Sequence, residues 1–101
     1  MDNKRKALNI YLMGIGGTGM GAFAGLLKQS GHQVFGSDSV VYSPMKEKLA
    51  EWLISYNTPY NRSNLPASCD LVIVGNVIRK DNPEAQTVVE RGLSFASFPS
   101  A

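Results

Sequence analysis

The segment Gly14-Ile15-Gly16-Gly17-Thr18-Gly19-Met20-Gly21 is the part of the chain best suited to chemistry. Gly14, Gly16 and Gly19 satisfy the pattern G-x-G-x-x-G, and five of the eight residues are glycine. A bare match of this kind is weak. The context strengthens it, because a strand-like apolar run precedes the glycines and a helical pattern follows them. Gly14 lets the chain turn tightly. Gly16 lets the backbone approach an anion, where a Cβ would collide with phosphate oxygens. Gly19 lets helix and strand pack closely. The unsatisfied N–H groups of the first helical turn point at the same spot, and the helix dipole adds positive potential there. Pyrophosphate is the natural guest. The competing reading is a β–α turn with no ligand, although so many glycines cost conformational entropy with no packing return. No Gly-Lys-Ser/Thr follows, which excludes a P-loop with a lysine on a γ-phosphate.

Asp38 stands 24 positions after Gly14, at the end of a second strand-like run. An acidic side chain there would lie beside the carboxyl end of the first strand and could accept hydrogen bonds from a ribose hydroxyl. A turn aspartate in Gly36-Ser37-Asp38-Ser39 is the alternative. Gly75 and Asn76 end a later strand and should border the crevice opposite the glycines, or else form a simple turn pair. His32 reads as a solvated turn residue and Cys69 as a small core residue. Trp52 and Tyr56 read as core, and Lys4-Arg5-Lys6 as a solvated tail. No nucleophile–base–acid set and no paired carboxylates at acid/base spacing are visible, so no catalytic residue is assigned.

The elements that must position these residues follow from hydrophobic periodicity. Leu8 to Met13 is nearly continuous and apolar, as suits a strand covered on both faces. Met20, Phe23, Ala24 and Leu27 recur at helical spacing and predict a helix from Thr18 to Ser30, closed by Gly31. Gln33 to Ser37 is a second strand. Pro44 opens a second helix whose buried face is Met45, Leu49, Trp52 and Leu53. Ile54-Ser55-Tyr56 is a weak third strand. Asn57 to Ser68 reads as loop with at most one helical turn. Asp70 to Gly75 is the clearest strand. Asn82 caps a third helix, with Pro83 in its first turn and Glu84 favouring its positive end. That helix closes at Gly92, and Leu93 to Ala96 is a fifth strand. Strands alternating with helices predict an α/β fold: a Rossmann-like parallel sheet of order 3-2-1-4-5 with helices on both faces.

Composition sets the outer bounds. A chain of 101 residues, 44% hydrophobic and 18% charged, makes one domain. One cysteine and one histidine rule out a disulfide framework and a Cys/His zinc site, and no metal ligands are assigned. A net charge of +2 is too small and too scattered for a nucleic-acid surface. No apolar run could span a bilayer, and the basic N-terminus lacks the h-region and cleavage site of a signal peptide. The expectation is a cytoplasmic protein with neither nucleic acid nor membrane as partner.

The string from Ile10 to Asp38, IYLMGIGGTGMGAFAGLLKQSGHQVFGSD, resembles the opening of the Mur ligases, the ATP-dependent enzymes of peptidoglycan assembly. Gly36-Ser37-Asp38 followed by Val41-Tyr42-Ser43-Pro44-Met45 is similar to the branch that recycles a murein tripeptide. So are Asp70 to Asn76 and Asn82-Pro83-Glu84. The alanine-adding branch is the next most similar, and it tends to carry Ser-Ser where this chain has Gly75-Asn76. The likeness runs from about Asn9 to Pro99. It implies a three-domain ligase whose N-terminal domain holds the UDP part of UDP-N-acetylmuramate. It further implies a central domain for ATP and magnesium, and a C-terminal domain for the incoming amino acid or peptide. Residues 1–101 would be the first of these, needing no cofactor of its own and unable to ligate alone, with the two other domains as partners. Transferred to this chain, Gly14, Gly16, Gly17, Thr18, Gly19 and Met20 would hold the pyrophosphate. Ser37 and Asp38 would meet the uridine, and Gly75 and Asn76 would border it.

Spacing alone leaves another class open, because Gly14, Gly16, Gly19 and Asp38 also fit the NAD-binding domain of an oxidoreductase. Against that class, five short strands lack the half-sheet that would seat a nicotinamide. A stand-alone nucleotide-sensing module is a third possibility.

Overall fold

The computed structural model describes residues 7–98. Lys4-Arg5-Lys6 and the segment from Pro99 onward lie outside those residues. The elements in chain order are β1 (Asn9–Met13), α1 (Thr18–Gln29), β2 (Gln33–Ser37), α2 (Met45–Glu51) and β3 (Ser55–Asn57). A single 3-10 turn (Arg62–Asn64), β4 (Leu71–Val74), α3 (Pro83–Glu90) and β5 (Phe95–Ser97) follow. The five strands form one parallel sheet in the order β3-β2-β1-β4-β5, as the sequence predicts.

Parallel strands need crossovers, and the crossovers cover both faces of the sheet. Alternation along β1 divides its side chains between them. Ile10 and Leu12 join Met20, Ala24, Met45 and Leu49 in a core under α1 and α2. Tyr11 and Met13 join Leu65, Val72 and Val88 in a second core under α3 and the 3-10 turn. Register then sets the functional edge. Met13 lies level with Ser37 on one side and with Val74 on the other. The residues that follow, Gly14, Asp38 and Gly75, therefore share the carboxyl edge of the sheet.

All three helices end in the same two-bond motif. His32 N donates to Leu27 O and Gly31 N to Lys28 O. Ile54 N donates to Leu49 O and Leu53 N to Ala50 O. Leu93 N donates to Val88 O and Gly92 N to Val89 O. These are Schellman closures, which place one residue in the left-handed region. Gly31 and Gly92 take that place at φ +98° and +65°, and Leu53 takes it at +60°. This corrects the expectation that Leu53 is buried with Met45 and Leu49: α2 stops at Glu51, and Leu53 swings out to 79% exposure. Ile54, at 4%, enters the core in its place. Trp52 and Tyr56 are partly buried against the α1–α2 core, and Cys69 against the other. His32 is half-buried, accepting the Leu8 amide on Nδ1 at 3.0 Å.

Four strands differ slightly from their expected spans: β1 begins one residue later, at Asn9, and β4 is a residue shorter at each end, Leu71–Val74. β3 is shifted one residue on, to Ser55–Asn57. β5 is Phe95–Ser97, with all three residues exposed at the edge of the sheet.

Candidate functional site

The turn from β1 into α1 is organised by its main-chain donors. Gly14 adopts φ +91°, a conformation that favours glycine, and this is the tight turn expected of it. Gly14 N and Ile15 N both donate to Ser37 O, at 2.8 and 3.0 Å. Gly16 N donates to Asp38 Oδ2 at 2.8 Å, and Gly17 N to Gly14 O at 3.2 Å. The first bond into the helix is Gly21 N to Gly17 O at 2.7 Å. Gly17 is the N-cap and offers no side-chain acceptor. The first-turn amides of Thr18, Gly19 and Met20 thus have no acceptor inside the helix. Gly17, Thr18 and Gly19 are exposed. The start of α1 is therefore an uncapped donor group at the positive end of a twelve-residue helix.

These bonds revise part of the expected cradle. The Gly16 amide is not open to a ligand in this arrangement, because the Asp38 carboxylate accepts it. A Cβ on Gly16 would come within 2.9 Å of Asp38 Oδ2 and 3.0 Å of Val41 Cγ2, so the bare backbone there serves the Asp38 contact. Gly19 lets α1 approach not β1 but the residue directly after β5: a Cβ there would face the ring of Phe98 at 3.3 Å. Close packing of α1 falls also to Gly21, against the Met45 side chain, and to Gly25, where a Cβ would reach the Trp52 ring at 2.8 Å.

Asp38 sits where the sequence puts it, half-buried at the end of β2. Its Oδ1 accepts from Ser39 N at 2.7 Å and, at a long 3.4 Å, from the Tyr60 hydroxyl. Ser37 does not reach the surface. It is fully buried, and its hydroxyl donates to Glu84 Oε1 at 2.6 Å. The expected contact of Ser37 with uridine is corrected accordingly: the side chain points into the core below the site. Gly75 is buried, with its N–H on Met13 O at 3.0 Å, and exposed Asn76 follows it at the rim. A cleft of about 390 Å³ opens beside this edge, lined by Asp38, Ser39, Tyr60, Ile78, Asn82 and Pro83, among others. A larger hollow of about 650 Å³ lies between α3 and β5; no glycine-loop residue lines either one, and only the smaller cleft is lined by Asp38.

The residue that sequence reasoning missed is Glu84. It was expected only to favour the start of α3, where Asn82 Oδ1 does accept the Glu84 and Ala85 amides, at 2.8 and 3.3 Å. Its side chain is fully buried and takes four donors. Oε1 accepts from Tyr11 Oη at 2.9 Å and Ser37 Oγ at 2.6 Å. Oε2 accepts from Asn61 N at 3.1 Å and Asn64 Nδ2 at 2.9 Å. A buried carboxylate persists only with such partners. A signal was present: Glu84 shares the i, i+3, i+4 face with Thr87 and Val88, both buried. Burial pushes the Tyr11 hydroxyl above its ordinary range, and the Glu84 charge adds to this while the Ser37 bond opposes it. Burial and then the Asp38 charge push Tyr60 the same way. Among the described residues no cluster of His, Cys, Asp and Glu could hold a metal ion, and no helix is long and apolar enough to cross a membrane.

The family model described as the Mur ligase family, catalytic domain, matches residues 9–101. The chain belongs to the Mur ligase family. It is 40% identical over 92 residues to the UDP-N-acetylmuramate--L-alanyl-gamma-D-glutamyl-meso-2,6-diaminoheptandioate ligase of Escherichia coli, covering 91% of this chain and 20% of that protein. It is 37% identical over 89 residues to the UDP-N-acetylmuramate--L-alanine ligase of Desulfatibacillum aliphaticivorans, covering 88% of this chain and 19% of that one. A crystal structure of a murein peptide ligase from Psychrobacter arcticus superposes with a TM-score of 0.85 at 32% identity, over 89% of this chain and 19% of the other. The chain thus spans about a fifth of the length of these relatives.

Proposed function

We propose that these residues hold the diphosphate and uridine of UDP-N-acetylmuramate for a ligase that joins the muramoyl carboxylate to an amino acid or murein peptide. The observation that carries this reading is the uncapped start of α1, where the amides of Thr18, Gly19 and Met20 converge beside an exposed glycine turn. A diphosphate supplies the charged acceptors those donors lack, and the helix dipole favours it. Asp38 at the neighbouring strand end suits the ribose, and Asn76 at the rim suits the base or sugar. The similarity to a tripeptide-adding enzyme makes wall-peptide recycling in the cytoplasm the setting this reading favours over alanine addition.

In this reading residues 1–101 act as a nucleotide-sugar-binding domain. ATP and magnesium, which supply the activation of the carboxylate, would be held by a central domain elsewhere in the ligase, and the incoming amino acid or peptide by a C-terminal one. The amides here would contribute binding and orientation of the sugar nucleotide and would take no part in bond making. The relatives named above are ligases and lend nothing to an NAD-dependent oxidoreductase. Calorimetry of the chain with UDP-N-acetylmuramate, UDP and NAD tests the reading: the two uridine nucleotides should bind in preference to NAD, and the reverse order would overturn it.

A further inference from the structure

We propose that Glu84 is a positioning residue for the nucleotide cleft, one buried carboxylate whose two oxygens brace the two halves of the glycine turn. The inference rests on the reading above for its ligand, and on geometry alone for its mechanics. Oε1 holds the Ser37 hydroxyl, and the Ser37 carbonyl in turn receives Gly14 N and Ile15 N. Oε2 holds Asn61 N and Asn64 Nδ2, and that same Asn64 amide group donates to Pro59 O at 3.0 Å. Both neighbours of Tyr60 in the chain are therefore tied to Glu84. Tyr60 reaches Asp38, and Asp38 takes the Gly16 amide.

Burial does little to hold the loop around Tyr60. Asn57, Thr58, Pro59, Asn61, Arg62 and Ser63 are all exposed, and Tyr60 itself is only half-buried. An apolar residue at position 84 would take the shared acceptor away from four buried or half-buried donor groups, at a cost that packing would not offset. The carboxylate thereby couples α3, the 59–64 loop, β2 and the glycine turn at one point, although it touches no ligand. It decides where Tyr60 and Asp38 stand over the cleft, and whether the Gly16 amide stays on Asp38.

The test uses Glu84→Gln, Asn64→Ala and, as a control for simple destabilisation of α3, Thr87→Val. Thr87 is buried on the same helix, and its hydroxyl donates to Pro83 O at 2.8 Å, away from the Glu84 carboxylate. Asn64→Ala removes one donor from Oε2 and leaves the carboxylate in place, so it reports even if Glu84→Gln fails to fold. Amide resonances of Gly16, Ser39 and Asn61 are followed in nitrogen–proton spectra, and UDP affinity is measured well below each melting temperature. The expected result is displaced Gly16 and Ser39 amides and UDP binding weakened roughly tenfold, the scale of one lost hydrogen bond. Thr87→Val should move neither. If the amides move but the parent chain does not bind UDP, the positioning role stands and the nucleotide reading falls. Unmoved Gly16 and Ser39 amides in the folded variants would overturn the proposal, and so would displaced amides with unchanged UDP affinity.

Discussion

Thr18→Pro removes one N–H from the opening of α1 and little else. Thr18 is the first helical residue and is exposed. Proline is tolerated there, because that amide has no intrahelical acceptor. The preceding residue must be extended, and Gly17 already stands at φ −68°, ψ 150°. Fold stability should therefore change by no more than about 0.5 kcal/mol, as for other exposed positions. The effect on a bound diphosphate is of another size. A hydrogen bond to a charged oxygen contributes about 1.5–3 kcal/mol, which corresponds to a Kd raised roughly 10- to 150-fold. Thr18→Ala keeps the amide and removes the hydroxyl, so it separates main chain from side chain. Calorimetric titration with UDP, alongside thermal melts followed by circular dichroism, reads both quantities. Normal UDP binding by a folded Thr18→Pro variant would refute the amide cradle. Equal weakening by both variants would transfer the contact to the hydroxyl.

Other perturbations test the frame around the site. Gly36→Ala drives a Cβ into the Leu12 carbonyl oxygen and to 3.0 Å from Ile15 Cδ1, in the middle of the sheet. Overpacking of this kind costs about 1–3 kcal/mol or more, and a melting temperature lowered by at least about 5 °C is expected; an unchanged melt would contradict the close strand contact. Leu53→Gly should raise the melting temperature by a few degrees. The left-handed leucine costs about 1–2 kcal/mol, only part of which glycine gives back through its freer unfolded chain. A lower melting temperature would show that the exposed Leu53 side chain is stabilising. The Tyr11 hydroxyl, raised by burial, contributes stability that is complete below its unfolded value of about 10 and is lost as pH climbs beyond it. Denaturant midpoints should fall from pH 9 to 11, and Tyr11→Phe should flatten that fall. An equally steep decline in the variant would assign it elsewhere.

Much of this molecule is legible in its residues because the signals are local. A strand covered on both faces has to be continuously apolar, and Leu71 to Val74 is. A helix that closes through a left-handed residue prefers glycine, and Gly31 and Gly92 mark two ends without any tertiary information. The glycines after β1 announce a tight turn into a helix for the same reason. Leu53 escaped notice because its left-handed conformation is imposed by Ile54 entering the core, a gain that outweighs the local strain.

What only the tertiary structure decided is which donors are already used and what lies beneath them. Chain order says nothing of the Gly16 amide meeting Asp38, 22 residues away, or of Ser37 turning inward to Glu84, 47 residues away. A carboxylate at a helix start looks like a dipole partner in sequence. It becomes a buried hub only when β1, β2 and the 59–64 loop bring four donors to it. The physical reason is that periodicity and capping act within a few residues, whereas satisfying a buried charge requires groups that the chain alone leaves far apart.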